Sequence, residues 1–165
     1  MGIPSGDFGD WVSETSWYGF EVGSRVFSNE NFSYGFASGW NTFGEKVSGT
    51  TEVESGAITG TSIREIKSFP LLVNAHYYLG REGKTRPYVG LNTGVYFISQ
   101  GTSLGIYYSG DTNAHFGLTP EIGVLMPVKD AGLMFNAKYV YAFEGGANMA
   151  FSWFALNVGF TFPNF

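Results

Sequence analysis

The stretch Phe154-Ala155-Leu156-Asn157-Val158-Gly159-Phe160-Thr161-Phe162 decides how this chain folds. Each even position is large and apolar, and each odd position is small or polar. A period of two belongs to a strand with two unlike faces. The same design recurs upstream in 16–27, 32–43, 68–79, 86–98, 115–128 and 132–143. In 16–27, Tyr18, Phe20, Val22 and Val26 alternate with Gly19, Glu21, Gly23 and Arg25. In 115–128, Phe116, Leu118, Ile122 and Val124 alternate with Gly117, Thr119, Glu121 and Gly123. No segment of helical period competes with these strands.

The connections alternate in length. Residues 28–31, 80–85 and 129–131 read as tight turns. Residues 44–62, 99–114 and, more modestly, 144–150 read as longer loops rich in Gly, Ser, Thr and Asn. Strands long enough for the roughly 9–11 residues a tilted crossing needs, with short turns on one side and long loops on the other, fit a transmembrane β-barrel. Pro70, Pro87, Pro120 and Pro127 fall inside the strand segments. A proline removes a ladder bond, so each is expected near a strand end.

Composition narrows the class. Gly numbers 24 of 165 and aromatics make 18%, while charged residues make only 14% against the roughly 25% of soluble domains. The small face of the strands is expected to be too small for a soluble core and right for the tight polar inside of a narrow barrel, with the large face turned to lipid. Nine Lys+Arg against 14 Asp+Glu leave a net charge of −5 and no basic run, so neither nucleic acid nor an anionic surface is an expected partner. Cysteine is absent, which excludes disulfides and thiolate chemistry, and no cofactor is indicated. The opening MGIPSGDFGDW lacks both regions of a signal peptide, so an export leader is expected to lie outside this sequence.

The stretches Trp17-Tyr18-Gly19-Phe20-Glu21-Val22-Gly23-Ser24-Arg25 with Asn29-Glu30-Asn31-Phe32, then Arg86-Pro87-Tyr88-Val89-Gly90-Leu91-Asn92-Thr93-Gly94, and the closing strand ending on Phe165 resemble the OmpA-like family of small eight-stranded outer-membrane barrels, in particular the porin-like barrel proteins of Bacteroidetes. The resemblance covers most of the chain. It implies an all-β, antiparallel up-and-down transmembrane barrel spanning 1–165 as one domain, located in a Gram-negative outer membrane. It implies that Phe160, Phe162 and Phe165 form the signal read by the barrel-assembly machinery, and that the tight turns face the periplasm. Counting back from the C-terminus makes 16–27 the second strand. Residues 1–15, with Pro4, Gly6, Asp7 and Asp10, then hold only a loop and a shortened or missing first strand, and residue 1 is expected to be either an internal start or a cut in a longer chain.

Parity turns Glu21, Arg25, Glu121 and Lys138 inward, where two acids and two bases are expected to form a structural ion-pair cluster, as in the plug of the OmpA barrel. Asn74, His76 and Tyr78 are expected to be lumen polar groups, with no serine or acid at a set spacing to make His76 a catalytic base. His115 follows Ser109, Asp111 and Thr112 and is expected at the outer rim. Asp7, Asp10, Glu52 and Glu54 fit no calcium loop and read as solvated charge, so no metal site is expected. Tyr107 and Tyr108, in a long loop, are the candidates for recognition of an extracellular ligand or protein.

The expected function is therefore a non-enzymatic outer-membrane barrel, bound to the lipid bilayer and serving as an anchor or as a binding surface. A barrel enzyme acting on lipid A and a soluble lipocalin-like carrier are the alternatives.

Overall fold

The computed structural model describes residues 1–6, 8–9, 12–53, 56–104, 107–129, 131–145 and 149–162, with side chains over the same residues except 46–63 and 102–109. The fold is all-β. Eight antiparallel strands form one up-and-down sheet: β1 (Gly2–Ser5), β2 (Tyr18–Asn29), β3 (Phe32–Val53), β4 (Gly56–Tyr78), β5 (Arg86–Leu104), β6 (Tyr107–Val128), β7 (Ala131–Ala142) and β8 (Phe151–Thr161). No helix among the described residues is long and apolar enough to cross a membrane.

The order across the sheet is β1-β8-β7-β6-β5-β4-β3-β2. The first strand is indeed short: β1 pairs with β8 only from Gly2↔Ala155 to Ser5↔Ser152. The two ends of the sheet meet at a single bridge, where Gly2 N donates to Ser16 O at 2.7 Å and Ser16 N donates to Gly2 O at 2.8 Å. Among the described residues no ladder closes the ring. Beyond Met1, whose carbonyl accepts from Leu156 N at 2.9 Å, the edge of β8 over 157–161 and the edge of β2 face each other without an intervening strand.

The expected long loops at 44–62 and 99–114 are corrected. Both are strand for most of their length, because β3 and β4 stay in register out to Val53↔Gly56 and β5 and β6 out to Leu104↔Tyr107. Thr and Ser fit a pleated backbone well enough to continue a ladder that the flanking residues have already aligned. The prolines need a second correction. Pro87 and Pro127 lie near strand ends, but Pro70 and Pro120 are mid-strand. Each coincides with a two-residue break in one ladder: β3–β4 pairing skips from Ser38↔Leu71 to Asn41↔Ser68, and β6–β7 pairing skips from Leu118↔Tyr141 to Glu121↔Lys138. The other neighbour of each strand pairs without interruption, as Pro70↔Tyr96 and Leu91↔Pro120. A sheet that curls tolerates a missing N–H on one side of a strand when the other side holds.

Alternation sends large apolar side chains outward along the strands; Phe36, Ile122 and Val158 are 68%, 63% and 68% exposed. The inward face departs from the expected lining of small and polar residues. At the end of the sheet where β8 begins, it is filled by Phe43, Ile66, Tyr96, Ile98, Phe151 and Trp153, all nearly or fully buried. Phe8 and Val12, from the segment between β1 and β2, complete this cluster. The Phe8 ring meets Phe43 edge-on at 5.1 Å and Phe151 at 5.4 Å. Among the described side chains the parity holds along the strands apart from the irregularity between Phe27 and Asn29 in β2. What changes along each strand is the size and polarity of the inward residue.

Candidate functional site

Below the aromatic cluster the inward face becomes polar. Cross-strand register aligns Ser33 with His76, His76 with Gly90, Gly90 with Glu121, Glu121 with Lys138 and Lys138 with Ala155. Directly opposed residues on neighbouring strands point to the same side of a sheet. The row therefore delivers a hydroxyl, an imidazole, a carboxylate and an ammonium to one level of the interior. Gly90 sits between His76 and Glu121. A Cβ placed there would overlap His76 Cδ2 and lie 2.9 Å from Glu121 Cγ, so this position must be glycine for the two side chains to meet.

Glu121 is the centre. Its Oε1 accepts from Arg25 Nη2 at 3.0 Å and from His76 Nε2 at 3.0 Å. Its Oε2 accepts from Asn92 Nδ2 at 2.9 Å and pairs with Lys138 Nζ at 3.0 Å. A carboxylate has about four lone-pair sites, and all four are occupied. Lys138 Nζ also donates to Glu21 at 2.6 and 2.8 Å. Arg25 Nη1 donates to the Tyr78 hydroxyl at 3.0 Å, and its guanidinium lies over the Tyr88 ring at 5.0 Å. Glu21, Arg25, Glu121 and Lys138 thus form one network, and two acids balance two bases. Glu21 and Arg25 lie on β2, whereas Glu121 and Lys138 lie on β6 and β7. The sheet curls far enough for these strands to join through side chains where no backbone ladder joins them.

Asn74, His76 and Tyr78 alternate along the inner face of β4, all buried. His76 has the acidic partner that linear spacing did not supply, because Glu121 lies two strands away rather than nearby in sequence. As Glu121 only accepts, Nε2 of His76 carries the hydrogen. Among the described residues its Nδ1 has no partner, nor do the Ser33 hydroxyl and Asn74 Oδ1. Ser33 and His76 are 0% and 1% exposed, so the serine-histidine-glutamate set is sealed from any substrate in this conformation.

His115 is corrected from the rim to the core. It is 0% exposed, its Nδ1 is bonded to Phe143 O at 2.8 Å, and its ring meets Phe151 edge-on at 5.2 Å. The neighbouring residues 99–104 and 107–114 are strand rather than loop, so the inward parity of β6 holds through His115. Phe160 and Phe162 project outward, whereas Phe165 lies outside the described residues. The side chains of Tyr107, Tyr108, Glu52 and Glu54, together with Asp7 and Asp10, also lie outside them. Asp111 accepts from Thr112 N and Asn113 Nδ2. Among the described residues no group of three acidic, histidine or cysteine side chains is placed to hold a metal.

Sequence reasoning missed Asn92, Tyr88 and Arg86. Parity turns all three inward, but nothing in the linear sequence set them apart from the other residues of that face. A polar cavity of about 280 Å³ opens along the seam between β2 and β8, lined by Glu21, Arg25, Asn74, Asn136 and Asn157. Compared with family models, curated proteins and solved structures, the chain matches none.

Proposed function

We propose that this protein is a non-enzymatic, membrane-embedded β-barrel of the OmpA-like kind, seated in a Gram-negative outer membrane as an anchor or binding surface. The observation that carries this reading is the outward apolar face. Large side chains such as Phe20, Phe36, Leu71, Val89, Ile122 and Val158 stand exposed on successive strands around a charged interior. Soluble monomers rarely expose contiguous apolar patches beyond a few hundred Å². In a bilayer the same face is at home, provided the sheet's edges are satisfied. A lipocalin-like carrier would need the opposite distribution. A conducting pore is disfavoured by the aromatic cluster filling one end of the interior.

The rival enzymatic reading has the His76–Glu121 pair in its favour and the burial of Ser33 and His76 against it. Refolding from urea with and without detergent micelles tests the proposal. A compact, heat-sensitive β form that needs detergent supports it. A β-rich monomer forming in plain buffer overturns it.

A further inference from the structure

Arg25 and Lys138 each face a carboxylate in the interior. Arg86 does not. It is only 4% exposed, its Nη1 donates to Glu30 O at 2.7 Å, and its guanidinium lies over the rings of Tyr78 and Phe27 at 5.1 and 5.5 Å. Among the described residues no acid pairs with it. A buried cation is stable when a counter-charge is at hand, and a carbonyl with two aromatic faces supplies only part of one.

Arg86 lines a cavity of about 390 Å³ at the tight-turn end of the sheet. At about 30 Å³ per water the space holds roughly a dozen waters, enough for a compact ion and its hydration. Lys84, exposed in the turn between β4 and β5, and Arg25 also line it. Ser24 and Thr161 add hydroxyls, and Glu82 is the one acid among the described lining residues. Arg86 and Lys84 thus share this lining with a single carboxylate, Glu82, while Arg25 is already paired with Glu121. The remaining wall, which includes Phe27, Pro127 and Phe160, is apolar and continues to the outward face.

We propose that this cavity is an oxyanion site for a phosphate group, gripped by Arg86 and Lys84 with Arg25 behind them. A guanidinium presents a planar fork of donors that matches phosphate oxygens two at a time, and the lysine adds a mobile point charge. The phosphate comes either from free inorganic phosphate or from a phospholipid headgroup whose chains follow the apolar wall.

The Nε–Hε resonances of Arg86 and Arg25, observed in the folded protein in whatever medium it folds, test the site and do not depend on the membrane reading. Titration with inorganic phosphate, to roughly 50 mM so that a millimolar site saturates, is expected to shift Arg86 saturably. A parallel titration uses short-chain phosphatidic acid. Saturation by phosphate at the lower concentration assigns a free-phosphate site, and saturation by the lipid at the lower concentration assigns a headgroup site. Lys84→Gln, an exposed change that leaves the fold intact, should weaken binding roughly tenfold, the value of one charge-assisted hydrogen bond. Glu82→Gln should tighten it. Equal shifts with chloride at matched ionic strength, or no saturable shift with either phosphate, would overturn the proposal.

Discussion

The two ends of the interior share one sheet and one side-chain parity, yet they are held by different forces. At one end Phe8, Phe43, Phe151 and Trp153 pack edge to face, with Trp153 and Phe43 centroids 5.6 Å apart. That contact is non-directional in its main term, each buried aromatic contributing about 2–3 kcal/mol from apolar area. At the other end Glu121 gathers four donors from four different strands. Desolvation consumes much of the gain from such a network, so its contribution to stability is small and its contribution to geometry is large. The difference matters at the seam. Where backbone pairing between the two edges is missing, Glu21 and Arg25 tether β2 to β7 and β6. The aromatic end makes the structure stable, and the polar end decides how the open edge is placed.

The sharpest way to break the comparison is Glu121→Ala. It strands Arg25 without a counter-charge and leaves Lys138 with Glu21 alone, and the expected loss is about 3–5 kcal/mol, read as a lower urea midpoint. Adding Glu21→Gln, Arg25→Met and Lys138→Met should restore a large part of that loss, because no charge of the network is then left without its partner. If this combined variant is no better than the single one, the network contributes more than geometry. Trp153→Ala, at the aromatic end, is expected to cost about 3–4 kcal/mol through a cavity, and no charge substitution should rescue it. Amide exchange separates the two variants further. Glu121→Ala should loosen β2 first, and Trp153→Ala should loosen the start of β8 first.

Gly90→Ala tests whether the polar row needs its gap. The added methyl meets His76 and Glu121, and overpacking of about 1–3 kcal/mol is expected, with the His76 imidazole resonances displaced. The mildest change is Phe36→Leu on the outward face. It alters neither end of the interior, so a midpoint shift within about 0.5 kcal/mol of the parent is expected. A larger shift would mean that Phe36 packs on something beyond this chain.

Much of this was legible in the alternation. Glu21, Arg25, Glu121 and Lys138 are inward by parity alone, and so are Asn74, His76 and Tyr78. What misled was residue size. Phe43, Ile66 and Ile98 sit at inward positions, but large apolar residues were expected to face out. His115 is inward by the same count as Thr119 and Glu121, and only its neighbourhood in a supposed loop placed it at the rim. Alternation assigns a face to each residue. It does not say whether that face is filled by charge or by rings, since both are compatible with a period of two.

The sequence by itself determined the middle stretches of the strands, their order of succession, the tight turns and the alternation of two faces, because these depend on neighbours one to four residues apart. Only the tertiary structure decided who meets whom. The His76–Glu121 contact spans 45 residues and the Lys138–Glu21 contact spans 117, and both depend on the summed register of several hairpins and on how far the sheet curls. Register errors of one residue would turn every one of these side chains to the other face. The partners are therefore a property of the assembled sheet, and no single strand carries them.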